Sequence, residues 1–386
     1  MRYLTAGESH GPAITTIIEG LPSNLPLEPA EINQDLARRQ QGYGRGGRMK
    51  IEKDQVEILA GLRFGKTLGS PVTLQVKNKD YAQWTDKMDP AGEQPPELDL
   101  VTHPRPGHAD LAGALKYNFT DLRNVLERAS ARETVARVAV GAVARSLLKV
   151  FDILLYSYVE TIGPVAAAPQ DPVLVIADYD VIENSPVRCA DPETARQMMK
   201  AIDEAKAAGD SLGGTFVVVA VGVPVGLGSH VQWDRKLDAR LAAALMSVQA
   251  IKGVEIGGGF SLAARPGSQV HDEIFYHHSK GYYRHTNHAG GIEGGISNGE
   301  AIVCRAAMKP IPTLSRPLQS VNMEDHSPYT AAVERADSCA VPAAAVVGEA
   351  VVAWELAKAL REKLGGDSLE EMQHNYRTFL NTVAQR

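Results

Sequence analysis

The chain has 386 residues, 44% of them hydrophobic and 22% charged, the balance of a folded globular protein rather than a disordered one. Forty basic against 46 acidic residues leave a net charge of -6, and aromatics are 6%. That excludes the broad basic surface of a general nucleic-acid binder and offers few platforms for stacked bases. Cys189, Cys304 and Cys339 are far apart and odd in number, which fits a reducing compartment better than a disulfide framework. The start, Met1-Arg2-Tyr3-Leu4-Thr5, lacks an apolar signal region, and no uncharged apolar run reaches membrane-spanning length. The expectation is a cytoplasmic protein with neither membrane nor nucleic acid as partner.

Tyr3 to Ala6 and Ile14 to Ile18 read as two strands flanking a loop. Pro29 to Gln41 reads as a helix, with proline in its first turn and Ile32 and Leu36 on one face. Val72, Leu74 and Val76 alternate as a half-buried strand. Residues 80–104 are polar and proline-rich, a surface excursion. Thr120 to Val150 reads as one long Ala/Val-rich helical region, buried toward its end. Ile153 to Val159 and Thr215 to Val223 read as strands; Asp234 to Lys252, Pro342 to Lys363 and Leu369 to Val383 read as helices. The irregular alternation predicts an α/β or α+β layered protein. A faint echo links its halves. Gly65-Lys66-Thr67-Leu68-Gly69 and Gly209-Asp210-Ser211-Leu212-Gly213 each precede a strand. Glu127-Arg128-Ala129 and Glu334-Arg335-Ala336 each open a helical stretch, with Gly141 and Gly348 at equal offsets. The echo predicts one pseudo-symmetric body, residues 1–386, rather than two unrelated domains.

Two familiar glycine patterns lack their context. Gly42-Tyr43-Gly44-Arg45-Gly46-Gly47 fits a dinucleotide fingerprint but follows a helix, not a strand. Gly65-Lys66-Thr67 resembles the end of a P-loop, but Ala60 stands where its first glycine belongs. A phosphotransferase built on Lys66 is therefore a weak rival, and a flavin- or anion-storing binding module is the non-enzyme one. Arginine placement says more. Arg39, Arg45 and Arg48 crowd a glycine-rich stretch whose backbone can close around an anion, and the guanidinium fork matches phosphate and carboxylate oxygens. Arg128 and Arg132 lie one turn apart, so a continuous helix puts them on one face. Arg123 and Arg137 read as a solvated face paired with Glu127 and Glu133. His10 and His108 sit in tight loops beside glycine and proline, where histidine is either structural or a proton donor. His271, His277, His278, His285 and His288 crowd one stretch, but their spacing fits no zinc pattern; an exposed loop covering a site is expected there, and no metal.

Taken together, the motifs resemble chorismate synthase. They are Gly7-Glu8-Ser9-His10-Gly11-Pro12, Gly44-Arg45-Gly46-Gly47-Arg48-Met49, Arg105-Pro106-Gly107-His108-Ala109-Asp110, Ser130-Ala131-Arg132-Glu133-Thr134, Gly290-Gly291-Ile292-Glu293-Gly294-Gly295, Lys309-Pro310-Ile311-Pro312-Thr313 and Arg335 to Pro342. They follow the family's order over nearly the whole chain. Ala129 and Ala336 depart from residues that are often serine in the family, and His288 is also unusual. The resemblance implies a single-domain β-α-β sandwich, usually a homotetramer. It implies conversion of 5-enolpyruvylshikimate 3-phosphate to chorismate by anti 1,4-elimination of phosphate, with reduced FMN required. It gives His10 to the reduced flavin, His108 to the leaving phosphate, Ser9 and Ser130 to proton relay or orientation, and Asp337 to removal of the C6 hydrogen. Arg39, Arg45, Arg48, Arg105, Arg132 and Arg335 are implied substrate contacts. Arg128, Ala129, Ser130, Gln249, Ala250, Gly294, Lys309, Pro310, Ile311, Pro312, Thr313 and Arg335 are implied flavin contacts. Arg39 and Arg45 carry a pyridine-nucleotide role in the family as well, which leaves NADPH or an external flavin reductase as the source of electrons.

Overall fold

Two antiparallel sheets enclose a layer of helices in the computed structural model, which describes residues 1–386 except 47–52, 96, 280, 317 and 332–336. The first sheet has strands β1 (Arg2–Ala6), β2 (Ala13–Glu19), β3 (Val56–Ala60) and β4 (Val72–Lys77), in the order β1-β2-β4-β3. Alternation sets its buried face: Ile14 lies opposite Val76, Thr16 opposite Leu74 and Ile18 opposite Val72, all of them buried. The second sheet has β5 (Leu154–Ile162), β6 (Val165–Ala166), β7 (Gly214–Val221), β8 (Ile251–Ile256) and β9 (Ile302–Met308), in the order β8-β9-β7-β5-β6. Its central strand β7 is apolar at every step from Phe216 to Ala220 because both faces are covered. Phe216 and Val218 join the main core, while Val217 and Val219 meet Tyr156, Tyr158, Val175 and Ile182 on the far side.

The helices are α1 (Pro29–Gln40), α2 (Asp110–Tyr117), α3 (Arg123–Ala129), α4 (Thr134–Lys149), α5 (Tyr179–Asn184), α6 (Pro192–Ala207), α7 (Leu237–Met246), α8 (Val341–Leu364) and α9 (Leu369–Ala384). α4 packs on the first sheet and α8 on the second, and the two pack on each other, giving a β-α-β sandwich. Their crossing is close: a Cβ on Gly141 would lie 2.3 Å from the Cβ of Ala350. Gly348, its echo, faces the other way, where a Cβ would meet the Phe216 ring at 2.5 Å. The echoed glycines thus serve a helix–helix and a helix–sheet contact, and the echoed loops lead to the interior strands β4 and β7.

The structure corrects two expected elements. The 120–150 region is not one helix: Ser130 is extended (φ -61°, ψ 142°), its hydroxyl accepts the Arg132 N–H, and a short turn separates α3 from α4. The expected 234–252 helix is α7 only, and the chain then turns at Ala250 (φ 67°) into β8. None of the described helices is long and apolar enough to cross a membrane. The histidine-rich stretch forms an exposed hairpin, Ile274–His277 against Gly281–Arg284, and no three His, Cys, Asp or Glu gather for a metal among the described residues.

Candidate active site

The β1–β2 loop carries Ser9 and His10 and is held from two sides. Asn78, at the end of β4, donates its amide to the carbonyls of Glu8 and Gly11. Glu127, in the last turn of α3, accepts from the His10 backbone N–H at 2.8 Å and from His10 Nδ1 at 2.8 Å. The Trp84 ring stacks on the imidazole at 4.0 Å between centroids, and the Arg123 guanidinium lies 4.9 Å over that indole while also reaching Glu127. Burial pushes the Glu127 carboxyl up, but the bonds from His10 and the charge of Arg123 outweigh it and hold the group below its ordinary value. Glu127 is therefore buried machinery, not the solvated partner expected from its spacing. Arg123 joins it, and the 80–104 excursion supplies a wall through Trp84.

Ser130, where the helix breaks, places its hydroxyl 3.2 Å from that of Ser9. The break also separates Arg128 from Arg132, so the expected shared face does not exist. Arg128 turns outward and donates to the carbonyls of Gly7 and Thr5. Arg132 turns inward, with Nε on Asn78 at 2.8 Å and a terminal nitrogen on Asp54 at 2.6 Å. The other Asp54 oxygen takes Arg39 at 2.7 Å, and Arg39 also donates to Thr134 Oγ1 at 3.2 Å. Burial, with Arg132 and Arg45 close by, pushes the Arg39 guanidinium down to about 10 in spite of Asp54. Arg45 pairs with Asp337 at 2.9 Å, and Asp337 also accepts the Gly46 N–H at 2.6 Å, which pins the glycine-rich loop to the 337–339 segment.

His108 precedes α2 and shares the buried Asp110 carboxylate with Arg105. The His108 Nδ1 and three nitrogens of Arg105, backbone included, converge on Asp110. Burial works against the ionised form, yet these bonds keep the Asp110 carboxyl far below the usual range. A terminal Arg105 nitrogen lies 3.4 Å from Thr313 Oγ1, and Lys309 Nζ donates to the Gly107 carbonyl at 3.0 Å, so the motifs around His108 and Lys309 to Thr313 meet. The Lys309 N–H bonds the Ala250 carbonyl, and the Ile311 carbonyl accepts from Ser211. Burial, then the charge of Lys252, lowers the Lys309 ammonium. Gln249 donates to Glu133 at 3.3 Å, and Glu133 in turn accepts from Thr5, the residue that holds Arg128.

The structure thus links Ser9, His10, Arg39, Arg128, Ser130 and Arg132 in one neighbourhood, Arg45 with Asp337 in a second, and Arg105, His108, Lys309 and Thr313 in a third. Ala129 and Ala250 sit beside their linked neighbours, and Pro310 and Pro312 flank Ile311. Gly294 lies in the turn between Ile292–Glu293 and Ile296–Ser297, and no hydrogen bond among the described residues ties it to the others. Arg48 and Arg335 lie outside the described residues. Lys66 sits on a two-residue strand that leads to β4 and not to a helix, which removes the P-loop rival. Sequence reasoning missed Asp54, Asn78, Trp84, Asp110 and Thr134 as site residues. Only Asp110 carried a signal, as the last residue of a histidine motif.

The chorismate synthase family profile matches residues 1–360. A chorismate synthase from Pelobacter propionicus is 59% identical over 394 aligned positions, covering 99% of each chain. One from Desulforamulus reducens is 58% identical and covers both chains fully. A crystal structure of chorismate synthase superposes with a TM-score of 0.81 at 47% identity, over 100% of this chain and 98% of the other.

Proposed function

Because the chain belongs to the chorismate synthase family and is a lyase of that kind, we propose that it performs the anti 1,4-elimination of phosphate from 5-enolpyruvylshikimate 3-phosphate with reduced FMN as cofactor. The observation that carries the reading is that Arg39 and Arg132 share the one buried carboxylate of Asp54, and burial and like charge, with Arg45 adding to it, already strain the Arg39 guanidinium. A substrate with a phosphate and two carboxylates relieves that strain by charge-assisted bonds.

The residues present fit a flavin. Gln249 Oε1 is buried with no hydrogen-bond partner among the described residues and is an acceptor awaiting an N–H. Lys309 offers a cation, and among the described residues no atom lies within 4 Å of where a Cβ on Gly294 would stand. When bound, the reduced flavin supplies electron density to the substrate as the allylic phosphate leaves. Arg128, Gln249, Ala250, Lys309 and Thr313 hold it in this reading.

The chain's own groups do the rest. Ionised Asp110 accepts from His108 Nδ1, so Nε2 is the nitrogen that protonates or screens the departing phosphate, with Arg105 adding charge beside it. His10, bonded to Glu127 in the same way, holds a proton next to the flavin. The Ser9 and Ser130 hydroxyls form a short relay beside it, and Asp337, fixed by Arg45 and the Gly46 N–H, assists removal of the C6 hydrogen. The reading includes a homotetramer in the cytoplasm, a place at the last common step toward aromatic compounds, and NADPH or an external flavin reductase as electron source. Anaerobic incubation with substrate and photoreduced FMN tests it. Chorismate and phosphate are expected in equal amounts with reduced flavin and not with oxidised flavin; equal release with both overturns it.

A further inference from the structure

We propose that Glu127 is a positioning residue for His10: its carboxylate makes Nδ1 the donor of the ring, while Trp84 and Arg123 hold both groups in place, so that Nε2 alone exchanges protons at the site. The proposal rests on the reading of His10 as the proton-holding group beside the flavin.

The argument begins with the carboxylate. A buried, ionised carboxylate only accepts hydrogen bonds. Glu127 is 3% exposed and is held ionised. Any nitrogen bonded to it must therefore carry a hydrogen. His10 Nδ1 lies 2.8 Å from one Glu127 oxygen and 3.1 Å from the other, which fixes the tautomer whatever the state of Nε2. The His10 backbone N–H binds the same carboxylate, so backbone and ring are tied to one point. Rotation of the ring is limited on its face by the Trp84 indole, stacked at 4.0 Å with 26° between planes. Arg123 closes the arrangement by reaching both Glu127 and the Trp84 indole.

The same pattern at His108 does not isolate the effect. Asp110 also holds the side chain of Arg105, itself a candidate site residue, so removing it releases two such groups at once. Glu127 is the cleaner case. The Ser9 N–H bonds the Glu127 main-chain carbonyl, and that bond survives any side-chain change.

The test uses the full chain. Imidazole 15N spectra of the flavin-free protein, with the His10 signal assigned by its loss in His10→Ala, should show Nδ1 protonated in the native chain. In Glu127→Ala the ring should revert to a mixture of tautomers. Turnover of the FMN-loaded enzyme is then compared in a double-mutant cycle. Glu127→Gln, nearly isosteric, should lower kcat by about ten- to a hundredfold with KM little changed, the scale typical of a partner that orients a functional histidine. In the His10→Ala background the same change should cost less than about twofold, since the glutamine amide oxygen still accepts the backbone N–H at position 10 and what is lost is the bond to the ring. Nδ1 unprotonated in the native chain, or equal Glu127→Gln losses in both backgrounds while His10→Ala is itself impaired, overturns the positioning role. Full turnover in His10→Ala instead overturns the reading of His10, whatever the spectra show.

Discussion

Arg38 and Arg39 are neighbours on α1 and enter two buried ion networks of opposite character. Arg38 is fully engaged: its nitrogens bond Glu183, Asp35 and Glu349 at 2.6–3.0 Å. Arg145 and Arg188 also reach Glu349, and Ser157 donates to it at 2.7 Å. Positive and negative charges match, and the network joins α1, α4, α8 and β5 at one wholly buried glutamate. A cleft of about 170 Å³ borders the network at Asp35, Arg38 and Arg145, beside Lys149 and Tyr179, and the charges that line it are already paired. Arg39 has one carboxylate, Asp54, which it shares with Arg132, and its Nε is buried with no partner among the described residues. The ion pairs, outweighing burial, raise the Arg38 guanidinium above its ordinary value, whereas Arg39 is pushed down. On one helix, complete pairing marks the group that builds the fold, and incomplete pairing is the feature on which the proposed substrate role of Arg39 rests.

The comparison breaks most visibly at Glu349. Glu349→Ala takes from Arg38, Arg145 and Arg188 the carboxylate they share, leaves Asp35 and Glu183 to face three arginines, and opens a buried hole. Removing one partner of a buried ion pair costs about 3–5 kcal/mol. Urea unfolding at neutral pH should show a loss of that size or outright failure to fold. A loss below about 1 kcal/mol would mean that Glu183 and Asp35 re-pair all three arginines, and the network would not be the fold's anchor.

Acid should dissolve the same network. Burial disfavours the Glu183 carboxylate, but bonds from Arg38 and Arg188 prevail and hold it at about 2, against an ordinary 4.5. Glu349 is held down in the same direction, chiefly by Arg38 against its own burial. Between those values the unfolded chain binds more protons than the folded one, so stability falls as pH falls. The contribution is complete above about pH 4.5 and gone near pH 2. Arg38→Met should flatten that part of the urea-midpoint profile. An unchanged slope would remove the network from acid stability.

How much of this contrast the sequence carries is uneven. The glycine-flanked histidines and the arginines of the 39–45 stretch stood out as candidates because such residue types in tight glycine loops suit proton transfer and anion binding. The split between Arg38 and Arg39 was not, since adjacent helical positions differ by about 100° in direction and only the packing says what lies each way. Glu349, a lone acid among valines and alanines in α8, carried a signal of burial that periodicity alone could not pair with Arg38. Glu127 looked solvated because Arg123 four residues earlier gave it a local partner. The loop that buries it lies 117 residues away in sequence. Ser130 misled in the opposite sense: one extended residue ended the helix that would have aligned Arg128 with Arg132.

The smallest effect on stability, and the sharpest on function, is expected at Arg39→Met. In the substrate-free protein the guanidinium gains bonds to Asp54 and Thr134 but loses hydration in the company of Arg132 and Arg45. These oppose each other. Asp54 also keeps Arg132 as a partner when Arg39 is gone, so no carboxylate is stranded. The unfolding free energy should therefore move by less than about 1 kcal/mol, unlike Arg38→Met, which removes five bonds and leaves the three carboxylates Asp35, Glu183 and Glu349 to only two arginines, Arg145 and Arg188. With substrate present the order reverses. A lost charge-assisted bond in a buried site should weaken binding by about 1.5–3 kcal/mol. Ligand that binds only the folded state raises Tm in proportion to the logarithm of its saturation, so the rise seen in the native chain should shrink in Arg39→Met and persist in Arg145→Met. A stability loss in substrate-free Arg39→Met as large as in Arg38→Met would make both arginines structural, and the distinction between the two networks would fall.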